Sequence, residues 1–336
     1  MTTTAAATTA RTVLFDEIGG PEVLKVRDLP LPAPGPAEVQ IKVEAIGLNR
    51  AEALLRAGKY YYPPTLPASR NGYEAAGVIE AVGADVTDLA PGDPVLVAAD
   101  FHLSTHGVYA DRVVLPETMV VRRPAEVDAV TAAATWLTYT TAYGALHLTA
   151  GMRPGDHVLI TGASSGVGTA AIQVVRRAGA VPLATTRTEA KKQHLLDLGA
   201  EHVIVTDTES DVPKEIKRVT AGRGAEIVLD GIGGPGFHTL GEAAAPGGTL
   251  VSYGWLDGRP TVLPMNWPLT VHGYANMAAF PTPDDRRRAA SYLTSGLKDG
   301  TLRPEIAQVF DGLDRMPDAH RLMESNTHTG KIVVRP

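Results

Sequence analysis

The sequence predicts a mixed α/β protein in which a β-rich region precedes a doubly wound parallel sheet. Residues 11–130 contain β-branched runs separated by proline and glycine, a pattern typical of short strands and turns. From His157 onward, strand-like and helix-like segments alternate, which predicts a parallel sheet with helices on both faces. A glycine-rich turn over residues 162–168 joins the first of these strands to the first helix.

The individual elements follow from the local pattern. In the β-rich region, strands are predicted at "EVQIKVEAIGL" (38–48) and "GVIEAVG" (77–83), and the pattern becomes helical at "VDAVTAAATWLTYTTAYGAL" (127–146). The later strands are predicted at 157–161, 181–186, 202–206, 225–233 and 247–254. The helices between them are predicted at 166–179, 188–200 and 212–222.

The two ends of the chain carry distinct signals. The segment "MTTTAAATTA" lacks the basic start and long apolar core of a signal peptide, so we expect residues 1–10 to form a disordered tail. Near the other end, Thr282 is a predicted N-cap followed by acidic residues, which favours a helix that ends near residue 300. The last segment, "GKIVVRP" (330–336), predicts a closing strand.

Composition excludes several classes of function. A chain of 336 residues with 44% hydrophobic content suggests about two globular domains. The net charge of −6 argues against nucleic acid as the main partner, and no run of about 20 apolar residues predicts a membrane span. The chain has no cysteine, which rules out disulfides, thiolate catalysis and zinc held by thiolates. A cysteine-free chain fits a reducing compartment, so a cytoplasmic location is expected.

The stretch "LITGASSGVGTAA" (159–171) is compatible with three chemistries. Residues 162–166 fit the nucleophile elbow of hydrolases, and His320 or His328 could supply the base. The upstream sequence lacks the oxyanion loop of such enzymes, and Gly168 continues the glycine pattern into the helix, which an elbow does not require. A short-chain dehydrogenase would need Tyr-x-x-x-Lys, and no tyrosine from Tyr139 onward has lysine four residues later.

The third interpretation is a dinucleotide-binding turn inside a Rossmann domain. Glycines let the backbone approach a pyrophosphate, and the N-terminus of the following helix offers N–H groups and a positive dipole end. Ala163 and Ser165 stand at the first two glycine positions, so the motif is a variant. The alternative to a dinucleotide-binding turn is a tight strand-to-helix turn that binds no ligand.

The order of motifs along nearly the whole chain, from Arg11 to Pro336, resembles the medium-chain dehydrogenase/reductase superfamily and its zinc-free quinone oxidoreductase-like branch. The segments that carry the resemblance are "GPEVLKVRDLPLPAPGPAEVQIKVEAIGLNRAE", "RAGKYYYPPTLPASRNGYEAAGVIEAVG", "LTYTTAYGAL", "PGDHVLITGASSGVGTAAIQ", "LGAEHVI", "GGTLVSYG" and "NTHTGKIVV". The resemblance implies a GroES-like catalytic domain over 11–130 and 275–336 and a Rossmann NADPH-binding domain over 131–274. It also implies a homodimer.

The departures from the zinc-dependent members concern the metal ligands. The resemblance implies that the three catalytic zinc-ligand positions of those members correspond here to Asn49, to Tyr73 of the triplet Gly-Tyr-Glu, and to a position near Leu137. Asparagine, tyrosine and leucine do not form a zinc site of nitrogen and sulfur ligands, and the cysteine-rich structural lobe is also missing. A zinc-free reductase is therefore expected. Without a Lewis acid, hydride addition to a quinone or conjugated carbonyl is easier than to an isolated carbonyl, because charge spreads over an enolate or hydroquinone.

Cofactor preference is predicted from the end of the second strand of the Rossmann domain. The acid that binds the ribose hydroxyls of NAD is missing from "ATTRTEAKK". Arg187 and Lys191, with the hydroxyls of Thr186 and Thr188, could bind a 2′-phosphate, which favours NADPH. A solvated basic helix start is the alternative.

The resemblance also suggests individual site residues. Tyr60 would orient the carbonyl or protonate the enolate, although Tyr61 or Tyr62 could take its place in the register. Asn49 would donate to the substrate oxygen, Tyr73 and Trp136 would contact substrate, and Glu74 would be a buried structural acid. The proposed cofactor contacts are Thr138, Thr141, Ser164, Ser165, Gly166, Val167, Gly168, Thr186, Arg187, Lys191, Tyr253, Gly254 and Asn326.

Three functions remain open at this point. The first is NADPH-dependent reduction of a quinone or enone. The second is a biosynthetic tailoring step on the same scaffold, either a stand-alone enoyl reductase or a redox-neutral cyclase or isomerase. The third is a non-enzymatic, cofactor-binding role like that of the crystallins in this family.

Overall fold

A computed structural model describes residues 9–98, 101–208 and 211–336. The chain forms two compact units, one reaching to Leu137 and including Ile306–Pro336, the other spanning Thr138–Glu305. Within the described ranges, the helices are too short or too polar to cross a membrane.

The first unit is built from antiparallel strands, as the β-branched runs predicted. Its strands are β1 (Thr9–Leu14), β2 (Lys25–Pro30), β3 (Glu38–Gly47), β4 (Glu74–Val82), β5 (Pro94–Val97), β6 (Arg112–Pro116), β7 (Val120–Arg122), β14 (Ile306–Asp311) and β15 (Lys331–Arg335). Strands β1 and β2 pair with each other, and the larger sheet has the order β14-β15-β3-β4-β5-β7, with β6 paired to β3. Strand β3 pairs with β4 and β15, so the first residues of β4 and β15 lie near its end.

The first unit also contains short helices. They are α1 (Arg50–Arg56), α2 (Leu103–His106), α3 (Ala129–Ala133), the first residues of α4 (Trp136–Tyr143) and α11 (Met316–Ser325). Helix α1 begins directly after β3, with Asn49 as its N-cap and Glu52 at the third helical position. The Glu52 carboxylate accepts the backbone N–H of Asn49 at 2.6 Å, which satisfies a donor that the helix leaves unpaired.

The second unit is a parallel sheet of six described strands. They are β8 (His157–Ile160), β9 (Val181–Thr186), β10 (His202–Val205), β11 (Ala225–Asp230), β12 (Ala244–Ser252) and β13 (Thr270–Gly273), in the order β10-β9-β8-β11-β12-β13. Side chains on one face of this sheet form a buried hydrophobic cluster that includes Leu159, Leu183, Ile204, Val228 and Leu250. The strand order reverses between β8 and β11, and ligands of such sheets bind at the carboxyl ends of these two strands.

Helices surround this sheet, as the alternating pattern predicted. They are α5 (Gly166–Arg177), α6 (Lys192–Asp197), α7 (Val212–Val219), α8 (Phe237–Ala243), α9 (Asn276–Ala279) and α10 (Pro283–Asp299). The predicted helix at 188–200 begins with a 3₁₀ turn at Glu189–Lys191 before α6. The prediction that Thr282 caps the last of these helices is confirmed, since its hydroxyl accepts the N–H of Asp285 at 3.2 Å.

Three segments differ from the expected domain boundaries. Residues 131–137, expected with the Rossmann domain, group with the first unit, and residues 275–305, expected with the first domain, group with the second unit. The cause is packing within that unit, where Arg177 pairs with Asp299 at 2.6 Å and the Tyr143 ring stacks on Phe280. At the N-terminus, residues 9 and 10 begin strand β1 instead of continuing the expected tail, and residues 1–8 lie outside the described ranges.

Candidate active site and cofactor-binding turn

A buried ion pair lies in the first unit where the zinc ligands would be expected. The Nζ of Lys331 donates to Oε2 of Glu74 at 2.8 Å, to Oδ1 of Asn49 at 2.7 Å and to the carbonyl of Leu48 at 2.8 Å. The other oxygen of Glu74 accepts the backbone N–H of Leu137 at 2.9 Å. Glu74 is therefore buried and fully paired, as the sequence predicted for a structural acid.

The Asn49 side chain is held by neighbours within the same unit. Its Nδ2 donates to Oε1 of Glu52 at 3.1 Å and to the carbonyl of Gly47 at 3.3 Å, while its oxygen accepts from Lys331. An amide has two donor hydrogens, and these contacts use both. This geometry favours a positioning role, and direct donation from Asn49 to a substrate oxygen stays a prediction.

Three tyrosine hydroxyls of the first unit converge on one point. The Tyr73 hydroxyl lies 2.8 Å from that of Tyr62 and 3.2 Å from that of Tyr60. Tyr73 is 2% exposed, whereas Tyr61 is 61% exposed. Tyr60 and Tyr62 therefore face Tyr73, and Tyr61 faces solvent. Burial raises the pKa of Tyr60 and of Tyr73 far above the ordinary phenol value, so both are neutral hydroxyls at physiological pH.

The carboxylate of Glu52 forms hydrogen bonds to this part of the site. It accepts the backbone N–H of Tyr73 at 2.9 Å and the hydroxyl of Tyr109 at 2.6 Å. The Tyr109 hydroxyl in turn lies 3.0 Å from Nε2 of His320, and burial lowers the pKa of His320 to about 3. Sequence reasoning missed Glu52 and Tyr109, and it named His320 only as a possible base of a hydrolase. The spacing of Glu52 three residues after an N-cap asparagine was the available signal.

Two further predicted residues also lie in the first unit. Trp136 is 3% exposed at the start of α4. Asn326 ends α11 in the left-handed conformation, and its Oδ1 accepts from Arg50 at 2.5 Å. Neither observation tests the roles that the resemblance suggests for these residues.

The glycine-rich turn of the second unit follows β8 and is shaped for close backbone approach. Gly162 has φ of +55°, and Ser165 caps α5 by accepting the N–H of Gly168 at 3.1 Å. A Cβ at Gly168 would lie 2.5 Å from the Cα and the carbonyl oxygen of Ala163, so only glycine fits there. The following 12-residue helix points its first N–H groups out of this turn, which suits a pyrophosphate.

The carboxyl ends of β8 and β11 are tied together by a buried hydrogen bond. The Thr161 hydroxyl donates to Oδ1 of Asp230 at 2.5 Å, and Oδ2 accepts the N–H of Gly233 at 2.8 Å. Tyr253 follows β12, and a Cβ at Gly231 would lie 2.5 Å from its phenol ring. Asp230 and Tyr253 thus stand beside the predicted nucleotide crevice, and Asp230 was not among the predicted site residues.

The predicted phosphate clamp lies after β9. Thr186 is buried, Arg187 is exposed, and the Nζ of Lys191 lies 3.5 Å from the Oγ of Ser164 in the glycine-rich turn. Burial, together with the nearby charge of Arg187, lowers the pKa of Lys191. The acidic residue between the two cations, Glu189, lies 3.7 Å from Lys192 instead. Lys191 and the Ser164 hydroxyl therefore lie together at the turn, and the charge of Arg187 acts on Lys191.

Thr138 and Thr141 lie on α4, at the part of that helix that belongs to the second unit. Both are buried, with 3% and 7% of their surface exposed. This burial is compatible with helix packing and with a contact to a bound cofactor, so their predicted role beside the nicotinamide stays a prediction.

Comparison with known proteins identifies the family. Residues 35–125 match the alcohol dehydrogenase GroES-like domain, and residues 166–289 match the zinc-binding dehydrogenase family. The human quinone oxidoreductase is 31% identical over 327 residues, which cover 96% of this chain and 97% of that protein. The chain belongs to the quinone oxidoreductase-like branch of the medium-chain dehydrogenase/reductase superfamily.

Solved members of this superfamily share the fold over the whole chain. The Escherichia coli quinone oxidoreductase complexed with NADPH has a TM-score of 0.89 and 28% identity, covering 97% of this chain and all of that one. An NAD-dependent alcohol dehydrogenase has a TM-score of 0.86 and 33% identity, covering 97% of this chain and 99% of that one. The first unit is thus a GroES-like domain and the second a Rossmann domain, as predicted.

The groups at the three positions where zinc-dependent members carry their metal ligands do not suit zinc. They are the Asn49 amide, the Tyr73 phenol and the backbone N–H of Leu137, and the ammonium of Lys331 bonds to the first of them. An ammonium and a neutral phenol are hydrogen-bond donors, whereas zinc prefers thiolate, imidazole and carboxylate. Across the described ranges, no group of three or more histidine, aspartate or glutamate side chains is arranged to hold a metal ion.

Proposed function

We propose that this protein is a zinc-independent reductase that uses NADPH to reduce a quinone or an α,β-unsaturated carbonyl compound. The observation that carries the proposal is the hydrogen bonding of the Lys331 ammonium. It bonds to Asn49, which stands at a zinc-ligand position of the zinc-dependent members, and to Glu74, which directly follows a second such position. A site of phenols and amides offers hydrogen bonds but no Lewis acid, which favours acceptors that delocalise charge themselves. The names of the quinone oxidoreductase relatives support the same substrate class.

The second unit would hold the cofactor. NADPH, when bound, supplies the hydride. The backbone N–H groups of Gly166 and Val167 at the start of α5 would bind the pyrophosphate, with Ser164 and Ser165 beside them and with Gly168 allowing the tight packing of the turn. Arg187 and Lys191, with Thr186, would bind the 2′-phosphate by charge-assisted hydrogen bonds.

The contacts to the nicotinamide end rest on the family resemblance. They would come from Thr138, Thr141, Tyr253, Gly254 and Asn326. The hydrogen bond between Thr161 and Asp230 would keep the turn after β8 in register with the end of β11.

The first unit would supply the proton. Tyr60 would donate its hydroxyl proton to the enolate or to the hydroquinone oxygen formed from substrate. Burial raises its pKa, so Tyr60 would enter each turnover protonated. Asn49 and Glu52 would position the neighbouring backbone and the Tyr73 ring, and Trp136 would pack against substrate.

We also infer that the protein forms a homodimer. Strand β13 is the last strand in the described order of the Rossmann sheet, and apolar side chains are exposed in the segment before it. These are Trp255, Leu256, Val262, Leu263, Met265 and Trp267. Sedimentation equilibrium should give a mass near 71 kDa, about twice the chain mass of 35.4 kDa. A single species at the chain mass would contradict this inference.

The proposed activity is tested with a panel of acceptors. Benzoquinones, naphthoquinones, simple enones and enoyl thioesters are each mixed with the protein and NADPH, and the decrease in NADPH absorbance is followed. Acceleration by a quinone or an enone supports the proposal. If the protein binds NADPH but no acceptor causes NADPH oxidation, the proposal is wrong and a non-enzymatic role is favoured. Turnover limited to enoyl thioesters would favour a biosynthetic enoyl reductase.

A further inference from the structure

We propose that the hydroxyls of Tyr62, Tyr73 and Tyr60 form a proton relay, in which Tyr73 returns a proton to Tyr60 in each turnover. This inference rests on the proposed function and assigns new roles to Tyr73 and Tyr62. The three oxygens are connected by hydrogen bonds of 2.8 Å and 3.2 Å with Tyr73 in the middle. Both distances allow direct proton transfer between phenols.

A backbone contact at Tyr62 leaves the proton of that hydroxyl available to this chain. The N–H of Leu103, at the start of α2, donates to the Tyr62 oxygen at 3.3 Å. An amide N–H can only donate, so the Tyr62 oxygen acts as acceptor there, and its single proton is available for Tyr73. When Tyr62 donates to Tyr73, the proton of Tyr73 is free to pass to Tyr60. In this arrangement the chain runs from Tyr62 toward Tyr60, the direction that reprotonates Tyr60.

Burial explains why a relay is useful. Loss of a proton from Tyr60 alone would leave a charged phenolate in a site where burial already raises the phenol pKa. Tyr73, which is nearly inaccessible, is a still poorer place for that charge. Tyr62 is half-buried and accepts the Leu103 N–H, and its ring is tilted by 30° against the ring of exposed His102, with centroids 4.1 Å apart. Transfer along the chain therefore moves the charge from Tyr60 to Tyr62, whose oxygen already accepts a backbone N–H.

The protons and electrons of the relay balance with the proposed reaction. Two electrons reach the substrate with the hydride. The O–H bond of Tyr60 breaks as a C–H or O–H bond forms on the reduced substrate. The O–H bonds of Tyr73 and Tyr62 break in turn as new O–H bonds form on Tyr60 and Tyr73. Water finally protonates Tyr62, so no further oxidant or reductant is needed.

The kinetic test uses Tyr73→Phe and Tyr60→Phe, singly and together. Tyr73→Phe keeps the ring beside Phe101, at a centroid distance of 5.8 Å, and keeps the backbone bond to Glu52. We expect Tyr73→Phe to lower kcat by about 100-fold, the lower end of the range for a lost proton-transfer group, with little change in KM. In the Tyr60→Phe background the same change should have almost no further effect, because Tyr73 acts through Tyr60. Equal losses in both backgrounds would mean a structural role and overturn the relay.

Solvent isotope effects provide a readout that a structural role would not change. Wild type should show a curved dependence of kcat on the deuterium fraction, since several protons move together, and Tyr73→Phe, which leaves only the proton of Tyr60, should show a linear one. The matched control is Tyr292→Phe, because the Tyr292 hydroxyl lies in the other unit and has no hydrogen-bond partner. Curvature that persists in Tyr73→Phe would overturn the relay.

A measurement without turnover separates the relay from the proposed function. In the NADPH-loaded protein, proton NMR should show exchange-protected hydroxyl resonances for the Tyr62–Tyr73–Tyr60 chain. They should disappear in Tyr73→Phe and persist in Tyr292→Phe. Absence of these resonances from wild type would overturn the relay even if acceptors are reduced. Absence of NADPH oxidation with every acceptor would overturn the proposed function, whatever the resonances show.

Discussion

The ammonium of Lys331 lies 2.8 Å from the carboxylate of Glu74, and both side chains are almost completely buried, although 257 residues separate them in the chain. The pairing of β3 with both β4 and β15 brings the two residues together. Asn49 joins them through its side-chain oxygen. One lysine thus connects the end of β3 with the first residues of two other strands.

Replacement of Lys331 by methionine should destabilise the protein strongly. It would leave the buried Glu74 carboxylate without its counter-charge, a loss that costs about 3–5 kcal/mol. We expect a thermal midpoint lower by roughly 10 °C, measured by circular dichroism or calorimetry. The double variant Lys331→Met with Glu74→Gln should recover part of the loss.

The control for this prediction is Arg321→Ala, which removes a surface ion pair with Asp318. Exposed pairs contribute little to stability, so its midpoint should stay near that of wild type. A Lys331→Met variant as stable as Arg321→Ala would contradict the assigned importance of the buried pair.

Replacement of Arg187 by alanine should weaken NADPH binding far more than NADH binding. A charged hydrogen bond to the 2′-phosphate is worth enough to raise the Kd for NADPH by about 10- to 100-fold. Fluorescence titration of both cofactors measures the difference. The matched control is Lys192→Ala, since Lys192 lies beside Glu189 rather than at the glycine-rich turn. A similar loss for NADPH and NADH would refute the clamp.

Replacement of Gly168 by alanine should disrupt the cofactor-binding turn. The new Cβ would lie 2.5 Å from backbone atoms of Ala163, which cannot move aside like a flexible side chain. We expect a stability loss of about 1–3 kcal/mol and a large rise in the Kd for NADPH. Gly258→Ala is the control, because no atom lies within 4 Å of a Cβ there. Normal NADPH binding by Gly168→Ala would show that the turn has more room than the structure indicates.

The stability of the protein should decrease as the pH falls below about 6.5, partly through His320. Burial lowers its pKa from 6.5 to about 3, so between these values the unfolded chain binds a proton that the folded protein does not. The loss amounts to about 1.4 kcal/mol for each pH unit crossed. His320→Gln removes the titrating group but can keep the hydrogen bond to Tyr109.

The comparison of His320→Gln with wild type at each pH isolates this contribution. Burial raises the carboxyl pKa of Glu52 and of Asp230, and raised carboxyl pKa values act in the opposite sense, because the folded protein then binds the proton first. Both carboxyls are present in both proteins. We therefore expect the thermal midpoint of wild type to fall more steeply than that of His320→Gln between pH 6.5 and 4. Parallel profiles would contradict the role of His320.

Local patterns predicted the elements because each one depends on neighbours in sequence. The cap at Thr282, the strand Val181–Thr186 and the turn before α5 all follow from residues within a few positions of each other. The domain boundary that the resemblance implied differs from the structure where long-range packing decides. Residues 275–305 group with the Rossmann unit because of partners such as Arg177, which lies 122 residues before Asp299.

The candidate site shows the same division. Local residues alone indicated Arg187 and Lys191 as phosphate ligands, since the missing acid and the two cations lie within one loop. No local signal predicted the hydrogen bond between Tyr109 and His320, which are 211 residues apart in the chain. Nor did any local signal show that Tyr60 and Tyr62 share Tyr73 as a hydrogen-bond partner.

The sequence by itself determined the α/β class, the nucleotide-binding turn and the cationic loop after β9, because periodicity, glycine and charge act over short stretches of chain. Only the tertiary structure decided that Lys331 pairs with Glu74 and Asn49, and that Tyr73 connects two of three consecutive tyrosines. The physical reason is that a buried polar group must find its hydrogen-bond partner inside the fold. The register of strands and the path of loops that are distant in sequence decide which partner lies within reach.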